Sequence, residues 1–168
     1  MGEEKKIEKH ARPGWDEYFI GISDSVATRC TCDRGPGGCV IVRDKQILTT
    51  GYIGSPVGLP HCSDVGHEFK ETIHEDGHKS KHCVRTIHSE MNAICQAAKL
   101  GISLNDATLY NNKTPCRTCA MAIINAGIKR VVCKQRYHAD EDTIKLFADA
   151  GIKFEVLSNT VAKYPDQK

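Results

Sequence analysis

One histidine, two cysteines and one glutamate fall into two short segments, His88-Ser89-Glu90 and Pro115-Cys116-Arg117-Thr118-Cys119. His88, Cys116 and Cys119 offer three zinc ligands, and Glu90 offers a proton carrier. A structural zinc normally takes four protein ligands, whereas a catalytic one keeps its fourth position for water. Three ligands with a carboxyl beside them therefore describe hydrolysis by an activated water. Zinc can lower the pKa of bound water from about 15.7 to about 7, which makes hydroxide available at neutral pH. Glu90 would take that water's proton and return it to a leaving group, serving first as base and then as acid.

This chemistry constrains the elements that carry it. Two residues apart on a regular helix, His88 and Glu90 would point about 200° from each other, so both reach one site only where a helix begins. Cys116 and Cys119 share one face of a turn, and Pro115 suits a helix start. Both motifs are thus expected at helix N-termini, where the positive end of the dipole favours thiolates. Two simpler readings compete: a structural zinc knuckle, and a solvated helical glutamate near an unrelated histidine.

The rest of the chain supplies the frame. Trp15, Phe19, Ile22 and Val26 recur at helical spacing and predict a helix over 14–28. Val40-Ile41-Val42 and Ile47-Leu48-Thr49 flank Arg43 to Gln46 as a hairpin. Segment 61–87 holds histidines and cysteines with almost no apolar periodicity, and reads as a long loop. Beyond it a helix runs from the His88 motif to Gly101. Strand 107–111, helix 116–126, strand 128–133, helix 139–150 and strand 152–157 then alternate. This order predicts one α/β domain over 13–157, a three-layer α/β/α sandwich around a mixed five-stranded sheet. Polar tails at 1–12 and 158–168 flank it.

The chain of 168 residues suits a single core. With 23 basic and 21 acidic side chains its net charge is only +2, so a small ligand is expected in preference to nucleic acid. No apolar run approaches the ~20 residues of a spanning helix, and no membrane partner is expected. Nine cysteines, an odd number, and the opening Met-Gly-Glu-Glu-Lys-Lys point to a reducing, cytoplasmic setting and to metal binding.

The two motifs, together with Trp15 to Phe19, Ala27 to Cys32, Gly51-Tyr52-Ile53-Gly54-Ser55-Pro56 and His82 to Ile87, resemble the deoxycytidylate deaminase family from about residue 13 to 157. The resemblance implies the cytidine deaminase fold and hydrolysis of dCMP to dUMP and ammonia. It also implies a homo-oligomer, often a hexamer, with dCTP and dTTP as effectors. His88, Cys116 and Cys119 would hold the catalytic zinc, and Glu90 would move the proton. Tyr137 falls where the resemblance places an aromatic beside the substrate. Ser89 replaces the family's common alanine and would offer the base a backbone contact. Ile53 stands where an asparagine usually meets the sugar, and Asn111 or Asn112 could compensate.

Some members carry a second zinc, and Cys32, Cys62, His67 and Cys83 look equivalent to its ligands, with His78 and His82 as rivals. Cys30, Cys39, Cys95 and Cys133 are expected in core or half-buried places. Arg29, Arg34 and Arg85 are candidates for a nucleotide phosphate. No role is assigned to His10, His61, His74 or His138. Two other readings remain at this stage: a zinc deaminase of another amino-heterocycle, which Ile53 motivates, and a zinc-stabilised DNA uptake or binding module.

Overall fold

The computed structural model describes residues 11–73, 77 and 79–162. Helix α1 (Trp15–Ala27) precedes the hairpin β1 (Gly38–Arg43) and β2 (Gln46–Tyr52). A short helix α2 (Cys62–Val65) and a second hairpin, β3 (Phe69–Ile73) with β4 (Lys79–Cys83), follow. Then come α3 (Ser89–Leu100), β5 (Thr108–Lys113), α4 (Arg117–Asn125), β6 (Arg130–Tyr137), α5 (Glu141–Asp149) and β7 (Lys153–Ala162).

The five long strands lie in the order β2-β1-β5-β6-β7. β1 is antiparallel to both neighbours, and β5, β6 and β7 run parallel. Alternation along the strands makes two cores, because successive side chains point to opposite faces. Cys39, Ile41, Leu109, Val131 and Cys133 pack on one face with Ala93, Ile123 and Phe147 from α3, α4 and α5. Val40, Val42, Tyr110 and Val132 face the other way, onto Phe19 and Ile20 of α1. The result is the expected mixed-sheet α/β/α sandwich.

Close approach at one glycine sets the position of α3. A Cβ on Gly51 of β2 would stand 2.2 Å from the Ser89 carbonyl oxygen and 2.4 Å from the Ala93 amide nitrogen. The missing side chain lets the first turn of α3 rest directly on the sheet. A three-way anchor ties the other layer: Arg130 of β6 donates to both carboxylate oxygens of Asp16 at 2.7 and 2.8 Å and to Glu155 at 2.6 Å, while Tyr110 donates to Asp16 at 2.8 Å.

Several elements differ from the sequence-based expectation. Segment 61–87 is not simply a loop, since α2 and the β3–β4 hairpin lie within it. Every β3 residue is exposed, so no buried face existed to leave an apolar alternation. β6 extends to Tyr137, and β7 continues to Ala162, past the expected end at 157. The last turns of both strands pair with each other beyond a register shift after Gln135, where polar residues hide the pattern. Trp15, expected in the apolar stripe, is 52% exposed under the Lys45 ammonium. Cys95 is exposed, while Cys39 and Cys133 are buried and Cys30 is half-buried. The N-terminal tail through residue 10, the tail beyond Ala162, and His10, His74 and His78 lie outside the described residues.

Candidate active site

His88 is the N-cap of α3 and Cys116 the N-cap of α4, each in extended backbone just before its helix. The two helix starts meet at the C-terminal end of β5. There His88 Nδ1 stands 3.5 Å from Cys116 Sγ and 3.6 Å from Cys119 Sγ. Zinc at its usual distances of about 2.3 Å from sulfur and 2.0 Å from nitrogen, in a tetrahedron, sets sulfur to nitrogen separations of roughly 3.5 Å. The three residues therefore fit the ion. Cys119 is buried, Cys116 half-buried and His88 exposed, which leaves the set open on one side.

The three groups are coupled to one another through hydrogen bonds. The Cys116 thiol is drawn far down, chiefly by its hydrogen bond from Cys119 and then by His88. His88 is pushed up to about 9, first by its bond to Cys116. The Cys119 thiol is pushed the other way, chiefly by its hydrogen bond to Cys116 and then by burial. Glu90, in the first turn of α3, is buried, and burial raises its carboxyl above the ordinary range.

A cavity of about 660 Å³ opens over these groups. His88, Glu90, Ser89, Ile53, Asn111 and Tyr137 all line it, as do Asn112, Arg34, His82 and Lys113. Ile53 is fixed in place by backbone bonds to Thr31 and Gly37, and its Cδ1 would lie 3.0 Å from a Cβ at Gly37. Of the arginines weighed for phosphate, Arg34 reaches the wall. Arg29 and Arg85 are not among the lining residues, and Arg85 instead donates to the Gly66 carbonyl at 3.1 Å.

The structure also brings together Cys32, Cys62, His67 and Cys83, whose ligand atoms all lie within 4.8 Å of one another. Cys32 Sγ is 3.7 Å from His67 Nδ1, and the Cys62 and Cys83 sulfurs are 3.6 Å apart. These separations also suit the edges of a zinc tetrahedron, which are roughly 3.5–3.8 Å at the usual bond lengths. His82 stays outside this set, on the cavity wall. Burial pushes the Cys62 thiol up to about 12. Burial also acts to raise Cys83, but backbone amides and His67 outweigh it and bring that thiol to about 7.

The chain matches the model of the cytidine and deoxycytidylate deaminase zinc-binding region over residues 13–135. This chain belongs to that family. Its fold and its use of zinc follow from the membership. It is 40% identical to ComE operon protein 2 of Bacillus subtilis, over 86% of this chain and 71% of the relative. Against the deoxycytidylate deaminase of Saccharomyces cerevisiae it is 35% identical over 94% of its own length, but spans only 49% of that enzyme. The dCMP deaminase of cyanophage S-TIM5, solved in complex with dCMP and dUMP, superposes with a TM-score of 0.70. That match, at 25% identity, covers 88% of this chain and all of the phage chain.

Three supporting residues of this deaminase were not visible beforehand. Asp140, buried at the N-cap of α5, accepts from Thr114 at 3.0 Å and pairs with Arg136. Thr143 donates to the Pro115 carbonyl at 2.9 Å. Together they hold the turn that delivers Cys116. The acidic start Asp140-Glu141-Asp142 suggests only a helix cap, and nothing local indicates a bond back to Thr114. The third, Asp33, accepts from His67 Nε2 at 3.1 Å, which directs Nδ1 toward the second cysteine set.

Proposed function

We propose that this deaminase hydrolyses dCMP to dUMP and ammonia. The observation that carries the reading is that the open side of the His88, Cys116 and Cys119 set faces the cavity in which Glu90 is buried. A zinc ion held there supplies Lewis acidity that allows water to lose a proton near neutral pH. Glu90 would accept that proton and deliver it to the ring nitrogen beside the amino-bearing carbon, then take the proton of the hydroxyl newly formed on that carbon and pass it to the amine, which leaves as ammonia when the C–N bond breaks. The carboxyl's burial, which raises its proton affinity, suits a group that must both accept and release. Ser89 and Asn111 orient Glu90 through a shared hydroxyl, with Ser89 Oγ 3.0 Å from Glu90 and 3.1 Å from Asn111.

The cavity's volume suits a mononucleotide. Arg34, His82 and Lys113 are on its wall, and Glu90 is the acidic side chain among its lining residues, a balance that favours a phosphate ester. Tyr137 and Ile53 supply apolar contact. One domain beginning near residue 13 holds all of this. The motif resemblance also supports a homo-oligomer, with the hexamer as its form, and dCTP and dTTP as effectors. A reducing, cytoplasmic setting belongs to the same reading, supported by nine cysteines of which none is in a disulfide. Among the described residues no helix is long and apolar enough to cross a membrane.

The test is to offer the zinc-loaded protein dCMP, dCTP, cytidine, cytosine and guanine side by side. Formation of dUMP at the highest kcat/KM is expected. Hydrolysis of another amine without dUMP formation would move the substrate, as Ile53 could. Inertness toward all five with salt-sensitive binding of DNA would replace the enzyme with a binding module.

A further inference from the structure

The second cysteine and histidine set lies apart from the reacting groups, yet two of its four members, Cys32 and Cys83, line the substrate cavity. From Cys32 the chain continues along the wall as Arg34 to Gly37. From Cys83 it continues through Val84 and Thr86 to His88 itself. Both wall segments therefore start at a ligand atom. The other two members, Cys62 and His67, come from α2 and the loop behind it and do not reach the cavity.

Neither segment contributes a side chain to the two apolar cores. All of β3 is exposed, and among the described residues β3 pairs only with β4. The hairpin's other ties include the Val84 amide to the Glu68 carbonyl at 2.8 Å, Arg85 to the Gly66 carbonyl, Arg85 to Glu68 at 3.6 Å, and the Arg34 guanidinium 5.0 Å from the Phe69 ring. Contacts of this kind are individually weak. A closed four-ligand metal site, by contrast, can order a region that lacks a core.

We infer that Cys32, Cys62, His67 and Cys83, closed on a zinc ion, are positioning residues for substrate: they lock segments 32–37 and 82–86 into one wall of the cavity, and so govern substrate affinity without entering the chemical step. The inference rests on the reading of the cavity as a dCMP site. Without the clamp, binding must first order the wall, which weakens the complex. Asp33 belongs to the clamp, because it holds His67 in the tautomer whose Nδ1 faces Cys32.

The experiment uses His67→Ala and Asp33→Ala, neither of which lines the cavity. Zinc per chain, KM and kcat for dCMP, and amide exchange are measured, with dCMP affinity by calorimetry in a Glu90→Gln background. In His67→Ala, bound zinc should fall from two per chain to one. KM and the dissociation constant should rise by about tenfold or more while kcat stays within roughly twofold, the pattern of lost uniform binding. Asp33→Ala should weaken the second zinc by about 10–100-fold, and added zinc should restore its KM. Exchange should quicken over 32–37 and 82–86 in both. Loss of the zinc with unchanged KM and exchange would overturn the inference, as would two zincs retained in His67→Ala or a parallel fall in kcat. If the intact protein does not deaminate dCMP, the substrate reading fails, and amide exchange still decides whether the metal holds the wall.

Discussion

Ser89 Oγ lies 3.0 Å from Oε2 of Glu90, and both residues are buried. The same hydroxyl stands 3.1 Å from Oδ1 of Asn111, whose amide nitrogen is already committed to the Lys113 carbonyl at 2.8 Å. A hydroxyl has one hydrogen to give. When Glu90 is ionised both neighbours are acceptors, so the hydroxyl's single donation is divided between the carboxylate and the amide.

Burial raises the Glu90 carboxyl, the His88 charge opposes that rise, and the Ser89 hydroxyl also opposes it. Catalysis needs the ionised carboxylate as base. The acid limb of kcat/KM should therefore follow this carboxyl, with activity lost as pH falls through its titration. Ser89→Ala removes a donor to the ionised form and should move that limb to higher pH at unchanged zinc content. A limb that stays in place would show that the hydroxyl does not tune Glu90.

Asn111 and Asn112, adjacent on β5, should separate function from stability. Asn111 points with Leu109 toward α3 and the reacting groups, and Asn112 points with Tyr110 toward α1. Asn112 donates to Asp24 at 2.6 Å and accepts from the Gly38 amide. Asn112→Ala leaves that buried N–H without its acceptor and should cost about 1–3 kcal/mol of stability. Its KM should change little. Asn111→Ala should raise KM for dCMP with a smaller loss of stability. Urea unfolding with steady-state kinetics distinguishes the two, and equal KM effects would refute the division of labour.

The same pair shows what the sequence could and could not reveal. The His88 and Cys116 motifs carried their own geometry, because ligand spacing demands helix starts, and both residues are N-caps. Val40 to Val42, buried on both faces of the sheet, was legible as a continuous apolar run. The β3–β4 hairpin was not, since β3 is exposed throughout and β4 is half-buried only at Ser80 and Cys83, so a period-two apolar pattern had no cause to appear. Which of Asn111 and Asn112 faces the cavity's reacting groups depends on strand register, a property set by neighbours far away in the chain. Asp140 and Asp33 act across tertiary contacts and leave no local trace.

Gly51 should behave as part of the active site although it carries no side chain. An added methyl would sit 2.2 Å from the backbone oxygen of Ser89, so α3 must shift away from β2. That shift displaces His88 and Glu90 together. Gly51→Ala is expected to lose about 1–3 kcal/mol of stability, the usual cost of overpacking. Its kcat should fall more than its KM rises. A variant with wild-type kcat and reduced stability would mean that α3 relaxes elsewhere and the first turn stays in place.

The Arg130 anchor should reveal itself through pH. Its guanidinium holds Asp16 below the ordinary 3.8 and Glu155 below 4.5, in each case chiefly through the hydrogen bond it donates. Carboxyls with lowered folded values contribute stability above their unfolded values and lose it as pH falls through the folded ones. Asp16 and Glu155 are 36% and 37% exposed, so solvent screening reduces the gain. Arg130→Leu is expected to cost about 1–2 kcal/mol at pH 7. The gap between variant and wild type should narrow as pH drops below the unfolded values, because both carboxyls then become protonated in either protein. Urea midpoints measured between neutral and acid pH check this, and a gap that widened toward acid would reverse the assigned sign.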